Sequence, residues 1–436
     1  MSRQHCDKPQ STASCQKDRP WFHGKFDIEE GGIERVTDDQ RQQDTTKFWN
    51  AATFWFSANM AVATLNIGSL GGGSLGLGFW DCFIIILIVN LLSDLLSAWT
   101  AIVGLTGLRM TTFSCVIVSS LPNFIIIIPQ ANNLILVNDT RLDTGATCLS
   151  SSSQWLQPQG GTQSTPSQEP WCSTLCPTGG SQLGPGWIHR LVTYIWIPPL
   201  IVWCVAAGTG ASSFTGARSK HLEGANKAAA VLTYMASIFS FSVSWVNCAA
   251  DYNVRMPANT PQGKIFSATY IGIFVPTVLV QILGAARYSG VVTSTRWKDA
   301  HASCSIGGLL QMSLEPAGGF GKFLMVLAAL SAIVVMRIPR IILVTFGFIV
   351  SIIVGCFAAM YFDSTLSTLL SVIGYWTVIH ITVVMEEHFI FRHGWKTYDW
   401  DAWNSPTGLP FRWAAIGAFA FGFNGAALEM KVTWYA

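Results

Sequence analysis

The sequence predicts an all-α integral membrane protein, and three observations carry that prediction. Half of the 436 residues are hydrophobic and only 11% are charged, whereas a soluble domain is about one quarter charged. Mean hydropathy is positive, at +0.39. Apolar runs long enough to cross a hydrocarbon core about 30 Å thick, roughly 20 residues of helix, recur down the chain.

Charge divides the chain in two. Of its 50 Asp, Glu, Lys and Arg residues, 17 lie in the first 50 positions and the other 386 positions share 33. Residues 1–50 therefore read as a water-facing tail and 51–430 as a transmembrane domain. The tail lacks a basic start, a short apolar stretch and a small-residue cleavage site, so it is expected to stay uncleaved and cytoplasmic, with the first span as the insertion signal. A net charge of +2 gives no reason to expect a nucleic-acid partner. The expected partners are the lipid bilayer and a small molecule. Of eleven cysteines only Cys172 and Cys176 are close in sequence, without nearby histidines, which disfavours a structural metal site. No hydrolase triad, phosphate loop or metal cluster is present, so neither an enzyme nor a resident cofactor is expected.

Ten runs are expected to span, near 52–74, 79–106, 113–137, 190–210, 228–250, 265–286, 320–336, 341–361, 366–385 and 411–430. Two are weak. The run 113–137 contains Pro122, Pro129, Gln130, Asn132 and Asn133, and 320–336 is short and abuts Arg337 and Arg340. Between spans, residues 138–187 are rich in Ser, Thr, Gly, Pro and Gln with no apolar run, and are expected to form a polar loop. The triplet "NDT" at 138–140 is a glycosylation sequon if that loop faces outward. Loop Lys and Arg are split nearly evenly, so they do not set the orientation.

The first span opens with "SANMAVATLNIGSLGGGSLGLGF", residues 57–79. Ser57 and Thr64 share a helical face, as do Asn59 and Asn66, and Gly68, Gly71, Gly72 and Gly73 are expected to end the helix. Backbone that unwinds at membrane depth must find partners in protein or in a watery cavity. One reading is a discontinuous helix lining a substrate or ion site. The other is that small residues merely let helices approach and the glycines form the loop before the second span. Both stay open on the residues alone.

The span "SIFSFSVSWVNCAADYNVRMP", 237–257, carries two stripes. Phe241, Trp245, Cys248 and Tyr252 recur at helical spacing, and Ser237, Ser240, Ser244, Asn247 and Asp251 follow one residue out of phase. An aromatic face beside hydroxyl, amide and carboxylate groups suits a flat polar heterocycle. Plain packing explains the same stripe, and a solvated helix end explains Asp251. In "SVIGYWTVIHITVVMEEHFIFRHGWKTYDWDAWN", 371–404, His380 lies mid-span, where an ionisable group suggests a proton carrier. A neutral histidine bonded to a neighbouring helix is the plainer alternative. Glu386, Glu387, His388, Arg392, His393, Lys396, Asp399 and Asp401, with the Trp and Tyr residues among them, read as an interfacial loop.

Four stretches together resemble one family. They are "GIERVTDDQRQQDTTKFWNAATFWFSANMAVATLNIGSLGGGSLGLGFWD", "AAAVLTYMASIFSFSVSWVNCAADYNVRMPANTPQGKIFSATYIGIFVPTVLVQILGAA", "GGFGKFLMVLAALSAI" and "SVIGYWTVIHITVVMEEHFIFRHGWKTYDWDAWNSPTGLP". In order and content they are similar to the fungal purine-cytosine permeases of the nucleobase:cation symporter-1 family, over about two thirds of the chain. The resemblance implies a leucine-transporter-type 5+5 inverted-repeat bundle of twelve helices, about ten of which are recognisable here. It implies plasma-membrane import of purine bases and cytosine, with a proton as the coupling ion, around broken first and sixth helices. Ser57, Asn59 and Thr64 match the family's first-helix motif. Trp245, Asn247 and Asp251 match its sixth-helix W-x5-D-Y motif. Trp245 would then stack the base while Ser57, Asn59, Thr64 and Asn247 bond its edge, and Asp251 and His380 would serve proton coupling or gating. The family-like sequence stops near "TGLRM" (106–110), resumes near "WIHRLVTYIWIPPLIV" (187–202) and thins again near "VVMRIPR" (334–340). Those are the positions of the family's third, fourth and part of its eighth helices. Another small heterocycle as substrate (a vitamin B6-type compound, allantoin or uracil), or a remnant lacking those helices, remain alternatives.

Overall fold

A computed structural model describes residues 35–41, 48–110, 112–114, 196–211, 214, 222–334, 362–398, 400 and 413–430. The expected spans 113–137 and 341–361 and the polar loop 138–187 lie outside the described residues, save the first two residues of 113–137. Among those described there are eleven α-helices and no strand. In chain order they are α1 Phe48–Asn59, α2 Val62–Gly73, α3 Phe79–Val103, α4 Ile197–Thr209, α5 Gly224–Val243 and α6 Val246–Asn253. Then follow α7 Gln262–Thr293, α8 Thr295–Leu314, α9 Gly318–Val334, α10 Phe362–Glu386 and α11 Trp413–Met430. Among the described residues three stretches are long and apolar enough to cross a bilayer, Phe79–Thr106, Gly224–Asn253 and Gln262–Val292.

The first expected span is two helices. The break falls at Met60 and Ala61, where Ala61 is extended with φ −113° and ψ 155°. The glycines expected to end the helix do not. α2 runs through Gly73, and the Ser74 N–H still donates to the Leu70 carbonyl at 3.0 Å. A helical Gly costs about 1 kcal/mol relative to Ala, and here close packing offsets that cost. A Cβ on Gly68 would collide with the Gln281 carbonyl of α7; one on Gly71 would come within 2.6 Å of Cys82 Sγ, and one on Gly72 within 2.7 Å of the Tyr288 ring. The packing explanation therefore accounts for the glycines, while the break lies before them.

The expected span 228–250 also breaks, at Ser244 and Trp245 between α5 and α6, so the two stripes do not share one continuous cylinder. Ser244 Oγ donates to the Phe241 carbonyl at 2.6 Å, and the Trp245 N–H turns to the Ser242 carbonyl at 3.4 Å. A serine that bonds back to its own helix bends it. No apolar run foretold α8. Arg296, Lys298, Asp299 and His301 in its first turns hide it from hydropathy, and Arg296 pairs with Glu315 at 2.5 Å.

α7 is the central element, packed against α1, α2, α3 and α8. Its Gly272 lies against the backbone of Ala52 and its Gly284 against the Leu65 carbonyl. α3 packs on α5 and α6, α5 on α10, and α10 on α11, while α9 covers α4. Residues 35–41 cross the end of α3. The Val36 N–H donates to the Gly107 carbonyl at 2.9 Å, Arg35 Nε to Thr106 O at 3.1 Å, and Arg41 Nη1 to Leu105 O at 2.6 Å and to Met256 O, just past α6, at 3.4 Å. After α10, the mixed-charge stretch folds onto aromatic rings. His388 lies 4.3 Å from Trp395 and 5.4 Å from Trp99 by ring centroids, its Nδ1 is 3.2 Å from the Tyr398 hydroxyl, and Arg392 sits 4.4 Å over the Tyr398 ring while pairing with Glu387 at 2.9 Å.

Gly68→Val should cost about 1–3 kcal/mol, because the clash is with backbone rather than a movable side chain. Gly319→Ala, which meets nothing within 4 Å, should be neutral or slightly stabilising, and thermal unfolding of the detergent-solubilised protein compares the two. Burial holds the His388 imidazole below its ordinary range, near 6.5. The unfolded chain then binds a proton that the folded protein refuses, so stability falls as pH drops through about 6.5. The melting temperature of His388→Asn should fall less than that of the wild type between about pH 7 and about pH 5.5; equal falls would refute the assignment.

Candidate functional site

Two helix breaks meet at the centre of the fold. The last turn of α1 carries Ser57 and Asn59, the first turn of α2 carries Thr64, the α5–α6 break carries Trp245, and α6 carries Asn247 and Asp251. Of the carbonyls freed between α1 and α2, that of Met60 is taken by the Trp203 indole N–H of α4 at 3.2 Å. A break at membrane depth stands only where such partners exist.

One hydrogen bond joins the breaks. Trp245 Nε1 donates to Asn59 Oδ1 at 3.1 Å, and Asn59 Nδ2 donates to the Trp55 carbonyl at 2.9 Å. Both ends of the Asn59 amide are engaged, which fixes its orientation. Trp55 stands edge-on to Trp245 at 5.3 Å and to Tyr252 at 5.2 Å, and Phe54 lies 4.1 Å from Tyr252. Asn247 Nδ2 donates to Thr377 Oγ1 of α10 at 3.2 Å. Trp245 is 8% exposed and Asn59 fully buried.

Among the described residues, three buried polar atoms here find no partner: Ser57 Oγ, Asn247 Oδ1 and Trp55 Nε1. Each costs about 1–3 kcal/mol when left unmet. One hydroxyl, one carbonyl acceptor and one N–H donor, set among aromatic rings, match the alternating donors and acceptors on the edge of a planar heterocycle.

The other expected residues lie apart from this group. Thr64 is buried in α2, past the break, with its N–H on the Ala61 carbonyl at 3.1 Å. Asp251 lies six residues beyond Trp245, and its Oδ1 accepts the Met110 N–H at 2.9 Å, beside the end of α3. His380 lies one turn beyond Thr377, with Nε2 2.8 Å from Ser114 Oγ. That contact matches the plainer expectation of a histidine bonded to a neighbouring segment. Trp55 and Thr377 join the site from outside the expected residues. Trp55 sits one turn before Asn59, a spacing that marks it as a neighbour, whereas nothing in the sequence places Thr377 opposite Asn247. Among the described residues no group of His, Cys, Asp or Glu is placed to hold a metal ion.

Comparison with known proteins gives three kinds of likeness. Residues 36–118 match the family model described as permease for cytosine/purines, uracil, thiamine, allantoin. The chain is 30% identical over 447 residues to the purine-cytosine permease FCY2 of Saccharomyces cerevisiae, covering 95% of this chain and 81% of that protein. It is 28% identical over 449 residues to the purine-cytosine permease fcyB of Emericella nidulans, covering 94% and 83%. It is 23% identical over 405 residues to the vitamin B6 transporter TPN1 of Saccharomyces cerevisiae, covering 85% and 68%. These matches run across 111–186, where the quoted stretches leave a gap. Among solved structures, Mhp1, a nucleobase-cation-symport-1 family transporter in a closed conformation with bromovinylhydantoin bound, superposes with TM-score 0.59 at 12% identity, over 92% of this chain and 95% of that one. The inward-facing conformation of Mhp1 gives 0.57 at 14% identity, over 92% and 93%. The fold is therefore the Mhp1-type helical bundle, and the protein is a multi-pass membrane protein.

Asn59→Ala removes the acceptor to which Trp245 Nε1 donates and should lower stability by about 1–3 kcal/mol. Combined with Trp245→Phe, a double-mutant cycle should show a coupling of about 0.5–3 kcal/mol; strictly additive effects on thermal unfolding would show that the bond does not join the breaks.

Proposed function

The chain belongs to the family of purine-cytosine permeases, and on that premise we propose that it imports purine bases and cytosine by proton symport across the plasma membrane. It is a nucleobase carrier, not an enzyme. The observation that supports this reading best is the Asn59–Trp245 bond across two helix breaks, with the unmet Ser57 Oγ, Asn247 Oδ1 and Trp55 Nε1 around it. A base entering there stacks on the Trp245 indole. Its ring nitrogens and exocyclic groups pair with Ser57, Asn59 and Asn247, and Thr64 lines the far side of the first break. Each pairing replaces an unmet or internal hydrogen bond, so binding recovers free energy that the empty site forgoes.

The N-terminus is cytoplasmic in this reading, so Arg41 and the Asp251–Met110 contact close the inner mouth. Alternating access then consists of opening that mouth while the outer side closes around the base. His380, buried beside Ser114, is a second ionisable group available to proton movement. A vitamin B6-type heterocycle is the second reading, favoured by the match to TPN1.

Uptake of radiolabelled cytosine, adenine and hypoxanthine in a host lacking nucleobase transporters is the test. Saturable uptake, competed by purines and not by pyridoxine, is expected; absence of uptake with the protein at the cell surface would sink the proposal. Trp245→Ala should raise KM roughly ten- to a hundredfold, the size of one base–aromatic stack.

A further inference from the structure

Within α3, Asn90, Ser93, Asp94 and Ser97 recur at i, i+3, i+4 and i+7, and all four are fully buried. That spacing puts them on one face of a membrane-spanning helix. Asn90 Nδ2 donates to Gln281 Oε1 of α7 at 2.7 Å, and Asn90 Oδ1 accepts the Ser242 hydroxyl of α5 at 2.5 Å. Ser97 Oγ donates to the Ser242 carbonyl at 3.2 Å, and Ser93 turns back to Val89 O at 2.9 Å.

Asp94 stands in the middle of this row and is the one acidic member. Ser242 lies beside it, but the single hydroxyl proton of Ser242 goes to Asn90. Among the described residues neither Asp94 Oδ1 nor Oδ2 has a hydrogen-bond partner, and Gln281 Nε2 in the same network has no acceptor. From α7, Tyr270 donates its hydroxyl to the Leu91 carbonyl at 3.1 Å, just under a turn from Asp94. From α6, the acidic group is Asp251, held at the helix end by Met110. Lys227 of α5 pairs with Asp81 at the far end of α3. Among the described residues no Lys, Arg or His pairs with Asp94.

An ionised carboxylate without donors is not tolerated in such a place, and an intramembrane acid without structural partners points to ion or proton movement. Protonated, Asp94 becomes a donor, and a lone pair of Ser242 Oγ beside it is the natural acceptor. Ser242 is three residues before Trp245, so the polar row ends at the break that carries the candidate site.

We propose that Asp94 carries the coupling proton, holding it as a neutral carboxyl while the α5–α6 break is closed and releasing it when that break opens inward. The inference rests on the proton-symport reading above. On release the Oδ–H bond breaks heterolytically, water takes the proton, and the carboxylate keeps the electron pair. The carboxylate is held by the free Gln281 amide N–H and by water until outer-facing water reprotonates it.

The test is transport by the full-length protein in proteoliposomes. Wild type should accumulate labelled cytosine under an inwardly directed pH gradient. Asp94→Asn, close in shape and permanently neutral, should keep cytosine–cytosine exchange within about twofold while its accumulation ratio falls to about one, and its cytosine affinity should lose the pH dependence of the wild type. Wild type that fails to accumulate overturns the symport reading on which the inference rests. Wild type and Asp94→Asn that accumulate equally overturn the role of Asp94 alone. If Asp94→Asn does not reach the membrane, Asp94→Glu decides: a displaced pH profile of accumulation supports the assignment, and an unchanged profile overturns it.

Discussion

The backbone contact between Gly68 of α2 and Gln281 of α7 is the constraint on which the rest depends. Only a residue without Cβ fits there, because the Gln281 carbonyl occupies the space a side chain would need. The contact fixes α2 against α7, and Gly284 against Leu65 and Gly272 against Ala52 extend the same seam along α2 and α1. With both halves of the broken span held by α7, the position of Asn59 between them follows. The side chain of the same Gln281 reaches the other way to Asn90 of α3. One residue therefore sets the distance from the broken span to α7 and the register of α3 against it. In a bilayer, where apolar surface gives helices no preference for one another over lipid, such close backbone approach is a principal source of association.

The two breaks are maintained by different chemistry. Between α1 and α2 an extended Ala61 interrupts the ladder, and Trp203 from α4 satisfies the freed Met60 carbonyl. Between α5 and α6 the chain bends itself, because Ser244 bonds to the carbonyl three residues back. The first break thus depends on a neighbouring helix, whereas the second is local and can change shape without repacking α4. The Asn59–Trp245 bond makes each break sensitive to the other.

What the sequence made legible follows from which forces it encodes locally. Spanning runs are read from hydropathy, and eight of the ten expected runs coincide with described helices or helix pairs because burial in lipid is a local demand. α8 escaped because its charged first turns make a helix at the end of α7 look like a loop. The glycines of 68–73 marked the right region and left packing and unwinding open between them. Packing is the outcome, and its partners Gln281, Tyr234 and Tyr288 lie too far along the chain to be read from neighbours in sequence. Trp245 and Asn59 stood out because polar and aromatic groups are costly to place in an apolar run. Asp94 meets the same criterion, and its place in a row with Asn90, Ser93 and Ser97 is hidden in the sequence by the strongly apolar residues between them. Asn247 and Thr377 show the opposite limit, since their pairing depends on how α6 and α10 pack.

The seam between α3 and α6 differs in kind from the one between α2 and α7. Toward the N-terminal side of the bundle it is held by Asp251 on the Met110 N–H, by Asn253 Nδ2 on the Ala101 carbonyl at 3.5 Å, and by Arg41 bridging Leu105 and Met256. Each such bond is worth about 0.5–1.5 kcal/mol net, and water at the membrane surface can replace it. The glycine contacts of α7 have no such substitute, because separating them opens a void in the packing. A force that parts the bundle therefore acts first on the α3–α6 seam and leaves α1, α2 and α7 together. The α5–α6 break is the point about which α6 would swing. Ser242 and Trp245 lie on either side of that point, one joined to the polar row of α3 and the other to Asn59. The break about which α6 would swing is therefore tied on one side to the polar row of α3 and on the other to the candidate site.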